Sequence, residues 1–378
     1  MLIKNIRIPG NNNRLHEIGT RDGKITKDYS DDITLDLEGA LAFPGLINSH
    51  DHLEFNLFPM LGNRTYEDFI DWGNDIHLKN KVIIERVKQV PYEVRFKWGL
   101  YKNLLNGFTT VAHHGNGVVF KYIGMPEPVD DYNYIHSVRL EKMWRLKLNL
   151  KLNNKPFVLH TGEGTNKLSY DEMTELNKWN ITRRNIIGVH GISADRRSCK
   201  MFAALVWCPD SNLFLYNMTP RISELKKETT VLFGTDSTVS SHWNIWDQIR
   251  MARSLDYLSD IELYESLSKK AAAIWGLQKH GSISDNYKAD IVFVNRTSDD
   301  EWNSFYDTDS KDILLILKGG RIVFIDEGFS EKNNLPGKAE FDIIEISGVR
   351  KYAVKGLKEL ADCIIKFLPE YEFPIKIF

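Results

Sequence analysis

The sequence predicts an α/β protein with a (β/α)8 barrel of the TIM type at its centre, and three observations support this prediction. Short apolar runs alternate with amphipathic windows from about residue 41 to residue 280, a pattern typical of strands and helices in a parallel sheet. The chain has 378 residues, which is enough for a barrel and a smaller second unit. Histidine, glutamate and aspartate residues recur where the apolar runs end, at the positions that carry the active site in such barrels.

The barrel strands are expected at the apolar runs, and the helices are expected in the windows of helical periodicity between them. The runs are 108–112, 156–160, 186–190, 204–208 and 231–234, and the clearest helical windows are 83–106 and 170–179. A doubly wound open sheet is the alternative. The sequence has no glycine-rich phosphate-binding loop of the kind that many such sheets use, so the barrel is favoured.

The stretch between His114 and His160 is too short for two complete strand–helix units. Strands are expected near 117–123 and 132–139, with one helix near 140–153. The barrel is therefore predicted to lack a helix after its second strand and to have a short loop there.

Both ends of the chain are predicted to be rich in β-structure. Residues 2–8 alternate roughly between apolar and polar side chains, and Gly319-Gly320 separates two apolar runs, which is a hairpin signal. Residues 354–368 form an amphipathic pattern that stops before a proline, as a helix does.

Composition excludes several classes of function. The net charge is −2 with acidic and basic residues mixed, which argues against a nucleic-acid partner. No window approaches about 18 uninterrupted apolar residues, so no membrane span is expected, and the N-terminus lacks the apolar core of a signal peptide. Cys199, Cys208 and Cys363 are odd in number and widely spaced, which indicates reduced thiols and a cytoplasmic protein.

The most informative motif is His50-x-His52, which ends an apolar run that begins near Pro44. On a β-strand, alternate side chains point to the same face, so the two imidazoles project together. Such a pair at a strand end forms half of a metal site.

Later strand ends supply the missing ligands in order. A zinc-type site needs three or four nitrogen or oxygen ligands and an open position for water, and His160 and Asp236 complete such a set with the histidine pair. Each histidine taken alone is more often structural, and Asp236 has a helix N-cap as its alternative role. Their joint occurrence at strand ends favours a metal centre.

Two further residues are candidates for proton transfer. Glu163 follows His160 by three residues, and Gly162 and Gly164 permit the turn that would bring it inward. A carboxylate beside a metal-activated water can act as general base and acid. His190 ends an apolar run, and three roles are open to it: metal ligand, proton donor or buried core histidine.

The ordered motifs resemble those of the amidohydrolase superfamily, and within it the branch of cytosine, guanine, adenosine-type and triazine deaminases and chlorohydrolases. The resemblance runs from about residue 1 to residue 325. The motifs that carry it are Pro-Gly-Leu-Ile-Asn-Ser-His50-x-His52, His160-x-x-Glu163, Val189-His190-Gly191, Cys208-Pro209-x-Ser211-Asn212, Gly234-Thr235-Asp236-Ser237 and the segment 281–292.

This resemblance implies one divalent metal ion, with zinc expected first and iron or manganese as alternatives, and no organic cofactor. The implied ligands are His50, His52, His160 and Asp236, and the implied catalytic residues are Glu163, His190 and Asp236. It also implies a barrel over 44–282 and a small β-sandwich domain built from 1–43 and 283–338, with 339–378 as a partly helical appendage. Homodimers are common in that family, which extends the same expectation to this chain.

The sequence departs from the family pattern at three points. Asp51 stands between the two histidines, where it should face away from the metal. The second strand ends in His113-His114, of which only one can line the pocket because neighbouring side chains on a strand face opposite ways; His114 is preferred as a substrate contact. Arg139, at a predicted strand end, is a candidate clamp for a substrate carboxylate or phosphate.

The expected activity is metal-dependent hydrolysis of a cyclic C–N bond in a small molecule. The leading hypothesis is deamination of a nucleobase-like heterocycle by metal-activated hydroxide. Two alternatives remain open at this stage: a ring-opening amidohydrolase of the imidazolonepropionase type, and a catalytically inactive barrel that serves as a scaffold.

Overall fold

A computed structural model describes residues 1–29, 33–115, 117–151, 153–335 and 338–378, without the side chain of residue 338. The fold is of mixed α/β type. Its strands are β1 (Leu2–Ile6), β2 (His16–Arg21), β3 (Lys24–Thr26), β4 (Thr34–Asp36), β5 (Leu41–Pro44), β6 (Leu46–Asp51), β7 (Phe108–His113), β8 (Glu127–Val129), β9 (Asn133–Ser137), β10 (Phe157–Thr161), β11 (Ile186–His190), β12 (Phe202–Trp207), β13 (Thr230–Phe233), β14 (Ile291–Val294), β15 (Ile313–Lys318), β16 (Arg321–Asp326), β17 (Phe341–Ile346), β18 (Val349–Val354) and β19 (Lys376–Ile377).

Helices follow most of the central strands. They are α1 (Phe69–Lys79), α2 (Lys81–Gln89), α3 (Tyr92–Leu105), α4 (Trp144–Leu150), α5 (Lys167–Trp179), α6 (Arg196–Cys199), α7 (Pro209–Tyr216), α8 (Ile222–Leu225), α9 (Ile245–Ser254), α10 (Asp260–Ser266), α11 (Lys269–Ile274), α12 (Glu301–Tyr306), α13 (Glu327–Lys332) and α14 (Leu357–Phe367), with short 3-10 turns at Leu53–Phe55, Ser310–Asp312 and Lys338–Glu340. Among the described residues, no helix has the length and hydropathy needed to cross a bilayer.

The central strands form two parallel sheets. One has the order β6-β7-β8 and the other has the order β13-β12-β11-β10-β9. The backbone N–H groups of Thr235 and Asp236, just after β13, both donate to the carbonyl oxygen of His50 at 3.0 Å. This contact links the end of the larger sheet to the first strand of the smaller one. The order of these strands and helices along the chain shows the strand–helix alternation that the sequence predicts.

The predicted strand near 117–123 is wrong. Residues 117–126 form turns and irregular structure, and the third strand of the small sheet is β8 instead. Phe120, within this run, packs on a helix, since its ring lies 5.6 Å from that of Phe96 on α3. Ile123 is 85% exposed. Pro128 is tolerated in β8 because this strand is at a sheet edge.

Two other boundaries shift for local reasons. The predicted helix over 83–106 is divided into α2 and α3 around Pro91, because proline lacks an N–H and disfavours helical geometry in the residue before it. The predicted helix over 140–153 is shorter and is seen as α4; position 152 lies outside the described residues.

The chain ends form two outer sheets. The four-stranded sheet has the order β3-β2-β1-β4, and the seven-stranded sheet has the order β19-β17-β18-β16-β15-β14-β5. β5 pairs antiparallel with β14, so residues from both ends share one sheet. Gly319 and Gly320 make the predicted hairpin with φ of 56° and 72°. The segment 339–378 adds β17, β18 and β19 to this sheet and contributes α14, so it is more extensively integrated than an appendage suggests.

Candidate metal centre

The parallel strands bring the predicted ligands to one edge. His50 lies at the end of β6, His52 follows that strand, His160 lies near the end of β10, and Asp236 follows β13. Within each of the two sheets the strands are parallel, so their carboxyl ends share one edge. The backbone contact of Thr235 and Asp236 with His50 brings the two edges together. The four side chains therefore converge although they are up to 186 positions apart in the chain.

Two pairs of imidazole nitrogens lie at the separation expected of ligands to one metal ion, and a carboxylate oxygen lies slightly farther away. The Nε2 atom of His160 is 3.3 Å from Nε2 of His52 and 3.3 Å from Nε2 of His50. Metal–nitrogen bonds of about 2.0–2.1 Å in a tetrahedral site place neighbouring ligand atoms about 3.3–3.4 Å apart. Asp236 Oδ1 lies 3.9 Å from His50 Nε2 and 4.0 Å from His52 Nε2. The donor set thus fits a divalent ion such as zinc.

Burial keeps the histidines of this cluster in the form that binds metal. It lowers the pKa of His50 and His160 well below the ordinary value and lowers the pKa of His52 to about 4. The neighbouring imidazoles lower the values of His50 and His160 further, because each positive charge disfavours another. Neutral imidazole is the ligand form, so no proton has to be displaced near neutral pH.

Asp236 is held in its ionised form by its surroundings. Burial by itself would raise the pKa of this carboxyl, but His52, His190 and two serine hydroxyls hold it below the ordinary value. Ser211 Oγ and Ser240 Oγ donate to Oδ2 at 2.8 and 2.9 Å, which orients Oδ1 toward the histidines. The N-cap alternative is not supported, because Asn244 caps the next helix, α9.

Glu163 and His190 form a second pair beside the ligands. His190 Nε2 lies 3.7 Å from Glu163 Oε1, and the hydroxyl of Tyr216 donates to the same oxygen at 2.9 Å. Burial raises the pKa of Glu163, and the charge of His190 opposes this rise. The turn that brings Glu163 inward uses Gly162 at φ 58°, as its predicted role requires.

Hydrogen bonds at the Nδ1 atom fix the orientation of two imidazole rings. His190 Nδ1 lies 2.8 Å from Asn212 Oδ1, and His160 Nδ1 lies 3.2 Å from the carbonyl oxygen of His136. An oxygen of this kind can only accept, so Nδ1 carries the hydrogen in each ring. In His160, whose pKa is lowered by burial, the neutral ring then presents the lone pair of Nε2 toward the cluster.

The structure places His114, and not His113, in the cluster. The ring centroid of His114 lies 4.4 Å from that of His160 and 5.2 Å from that of His50. Its two buried nitrogens find no hydrogen-bond partner among the described residues. His113 points to the opposite face, where its ring lies 5.0 Å from the ring of Phe96. The two side chains face opposite ways because neighbouring residues of an extended strand alternate between its two faces.

Arg139 is not brought into the cluster. Its Nη1 donates to Asp68 Oδ2 at 2.7 Å, and its guanidinium lies 5.3 Å from the ring of Phe69. Asp68 also caps the start of α1. The charge of Arg139 is therefore already balanced, which weighs against the predicted clamp for a substrate anion.

Several supporting residues escaped the sequence reasoning. Ser211, Asn212 and Tyr216 all lie on α7 and contact Asp236, His190 and Glu163 in turn. Asn212 and Tyr216 are four residues apart and share one helix face, a signal that was available in the sequence. The Cys-Pro-x-Ser-Asn motif is recognisable in the sequence, but it does not reveal a role for Ser211 or Asn212, because the residues that they contact belong to other strands.

A cavity of about 620 Å³ lies outside this cluster. It is bordered by residues 56–60, by α2, by residues 238–243 and by residues 368–374. None of the predicted site residues lines it.

The buried carboxyl of Glu172 predicts a pH dependence of stability. Burial, opposed by Arg139, raises the pKa of Glu172 on α5 from 4.5 to about 8. The folded state then binds more protons than the unfolded state between these values, so stability falls as pH rises through that window, by at most about 1.4 kcal/mol per pH unit. We expect Glu172→Gln to remove this component, measured as urea midpoints at pH 5.5 and 8.

The control for this variant is Glu175→Gln. Glu175 lies on the same helix, is half exposed and pairs with Arg145, so its replacement should leave the slope of stability against pH unchanged. A Glu172→Gln protein with the same slope as the parent would contradict the prediction.

Comparison with known proteins finds a family match in the middle and later part of the chain. Residues 153–323 match the model of the amidohydrolase family. The 5-methylthioadenosine/S-adenosylhomocysteine deaminase of Halothermothrix orenii is 22% identical over 405 residues, which cover 86% of this chain and 90% of the relative.

Solved structures show a similar fold over nearly the whole chain. A variant of the atrazine chlorohydrolase of Arthrobacter aurescens, complexed with zinc and atraton, has a TM-score of 0.70 at 18% identity, covering 97% of this chain and 100% of that one. An adenosine deaminase of Xanthomonas campestris with bound zinc has a TM-score of 0.65 at 13% identity, covering 98% of both. The guanine deaminase of C. acetobutylicum has a TM-score of 0.61 at 16% identity, covering 85% of this chain and 99% of that one.

Proposed function

We propose that the chain, which contains a match to the amidohydrolase family over residues 153–323, is a metal-dependent hydrolase of C–N bonds that deaminates a small, nucleobase-like heterocycle. The observation that carries the proposal is the 3.3 Å spacing of His160 Nε2 from His50 Nε2 and His52 Nε2. The single lone pair of His160 Nε2 can accept a hydrogen bond from only one of these two rings, whereas a cation could be bound by all three nitrogens at once. A shared cation accounts for the arrangement.

The proposed ligands are His50, His52, His160 and Asp236. When bound there, a zinc, iron or manganese ion would supply Lewis-acid activation of water. Asp236 combines this role with a catalytic one, because its carboxylate can accept a proton at the edge of the site.

The proposed proton carriers are Glu163 and His190. The raised pKa of Glu163 lets this carboxyl hold a proton and give it to a ring nitrogen or to a leaving amine. His190, oriented by Asn212, lies 3.7 Å from Glu163 and would polarise the substrate. Tyr216 keeps Glu163 in place through its hydrogen bond.

The named activities of the similar proteins support the substrate class. Three of them are deaminases of guanine, of adenosine, or of 5-methylthioadenosine and S-adenosylhomocysteine. In each case the named substrate contains a purine. We extend this to the chain as a proposal at the level of a small nitrogen heterocycle.

We also propose that the eight parallel strands close into a barrel over residues 44–282. The backbone contact from Thr235 and Asp236 to His50 and the fold likeness to the chlorohydrolase support it. The remaining parts would be the composite β-sandwich of 1–43 and 283–338 and the final segment 339–378.

Ammonia release tests the proposed activity. The zinc-loaded protein would be screened against purines, pyrimidines and pterins, with His160→Ala and Glu163→Ala as negative controls. Release of one ammonia per substrate consumed is the expected result. Consumption of a ring without ammonia would instead indicate the ring-opening alternative. Protein that contains almost no zinc, iron or manganese after metal-supplemented expression would indicate a scaffold.

His114 is expected to contact the substrate. The two ring nitrogens of His114 are buried and have no hydrogen-bond partner in the part of the chain that the structure describes. We therefore expect His114→Gln to raise KM about tenfold, which corresponds to one lost hydrogen bond of about 1.4 kcal/mol. The matched control is His113→Gln, which changes the neighbouring residue on the opposite face and should leave KM unchanged. Equal KM values for the two variants would contradict this role.

A further inference from the structure

An ion pair without solvent exposure lies directly behind the proposed metal ligands. Lys102 on α3 and Asp51 on β6 are each 0% exposed, and Lys102 Nζ lies 3.5 Å from Asp51 Oδ2. Asp51 stands between His50 and His52, so the strand period turns its side chain away from the metal. Buried charges are costly unless they are paired and hydrogen-bonded, so this pair requires an explanation.

The ammonium group contacts two of the three segments that carry the proposed ligands. Lys102 Nζ donates to the backbone oxygen of Asp236 at 3.2 Å and to Asn56 Oδ1 at 2.8 Å. Asn56 Nδ2 in turn donates to Asp51 Oδ1 at 2.9 Å, and Asn103 Nδ2 donates to Asp51 Oδ2 at 2.9 Å. One cation therefore joins the His-x-His strand to the loop that holds the aspartate ligand.

A second set of hydrogen bonds continues the connection. Asn48 Nδ2 donates to Asn103 Oδ1 at 2.9 Å and to Thr235 Oγ1 at 2.8 Å. The hydroxyl of Thr235 donates to the backbone oxygen of Asp236 at 2.8 Å. The Asp236 carbonyl thus accepts from two sides, at a residue whose φ of 57° is left-handed. This conformation is unfavourable for most residues and needs such support.

We propose that Lys102, together with Asp51, is a positioning residue that sets the distance between the Asp236 ligand and the His50-x-His52 pair. The proposal rests on the metal centre of the proposed function. It also explains why an acidic residue stands between His50 and His52: the Asp51 carboxylate anchors Lys102, which holds the loop that carries Asp236. Partners of this kind commonly change metal affinity by about 10–100-fold when they are removed.

The test is the affinity of the metal-free full-length protein for Zn²⁺, measured by competition with a chromophoric chelator. We expect Lys102→Met to weaken Zn²⁺ binding about 10–100-fold. Lys351→Met is the matched control, because Lys351 is also 0% exposed and pairs with Asp326 at 2.8 Å, but in the outer sheet. This control should lower the unfolding midpoint and leave the Zn²⁺ affinity within about twofold of the parent.

A double variant separates charge from position. Lys102→Met leaves the Asp51 carboxylate buried without its cation and can unfold the protein. Lys102→Met combined with Asp51→Asn removes both charges of the pair, so no unpaired charge is left buried. The double variant should fold and still bind Zn²⁺ at least about tenfold more weakly, because the Asp236 carbonyl has lost the lysine. Zn²⁺ affinity equal to that of the parent in this folded double variant would overturn the proposal. Absence of Zn²⁺ binding by the parent would instead refute the metal centre itself.

Discussion

Replacing His160 with alanine is expected to abolish metal binding and hydrolysis together. His160 Nε2 is the atom that lies 3.3 Å from both other imidazoles, so its removal deletes the ligand at the middle of the set. We expect bound metal to fall from about one ion per chain to almost none. The turnover rate should fall by at least about a thousandfold, because Lewis-acid activation contributes several kcal/mol to transition-state stabilisation.

The control for His160→Ala is another buried histidine, on β7. His113 is 1% exposed and packs against Phe96, so His113→Ala should lower thermal stability but retain the metal. Metal content is measured by elemental analysis of the folded proteins and activity is measured by ammonia release. Full metal content in His160→Ala would show that the imidazole cluster is not a metal centre.

Glu163→Gln is expected to separate catalysis from metal binding. The glutamine can still accept the hydrogen bond from Tyr216, but it cannot take up and release a proton at neutral pH. General acid–base catalysis contributes about 10²–10⁴-fold, so the turnover number should fall by that factor. The metal content should not change, because Glu163 is not among the proposed ligands.

The comparison for this variant is Glu67→Gln. Glu67 is exposed, and it contributes its backbone oxygen, rather than its carboxylate, to the hydrogen bond with Thr165 N. Its replacement should leave turnover and metal content as they are in the parent. A Glu163→Gln protein with turnover within about tenfold of the parent would contradict the assigned role, since that loss is smaller than the weakest general acid or base effect.

Local rules were sufficient for much of the architecture. The shared face of His50 and His52 and the opposite face of Asp51 follow from the two-residue period of a strand. The apolar runs at 156–160 and 186–190 were found as β10 and β11, since both are continuous runs buried in a parallel sheet. The Gly319-Gly320 hairpin is equally local, because only its two residues need left-handed backbone angles.

Other expectations failed where a segment or a side chain had more than one possible partner in the fold. The run near 117–123 has the composition of a strand, yet it packs against α3, and no local property distinguishes these outcomes. Arg139 was a plausible anion clamp until the fold placed Asp68, 71 positions earlier in the chain, within 2.7 Å of it. A charge at a strand end does not reveal which opposite charge the fold will place beside it.

The amino-acid order alone determined which residue types stand at strand ends, and therefore which side chains were available as ligands and proton carriers. Only the tertiary structure decided how they are held: Tyr216 against Glu163, Asn212 against His190, and Lys102 between two of the three segments that carry the proposed ligands. The physical reason is range. Strand periodicity acts over two residues, whereas these hydrogen bonds join groups 22 to 134 positions apart, whose meeting depends on the packing of the whole chain.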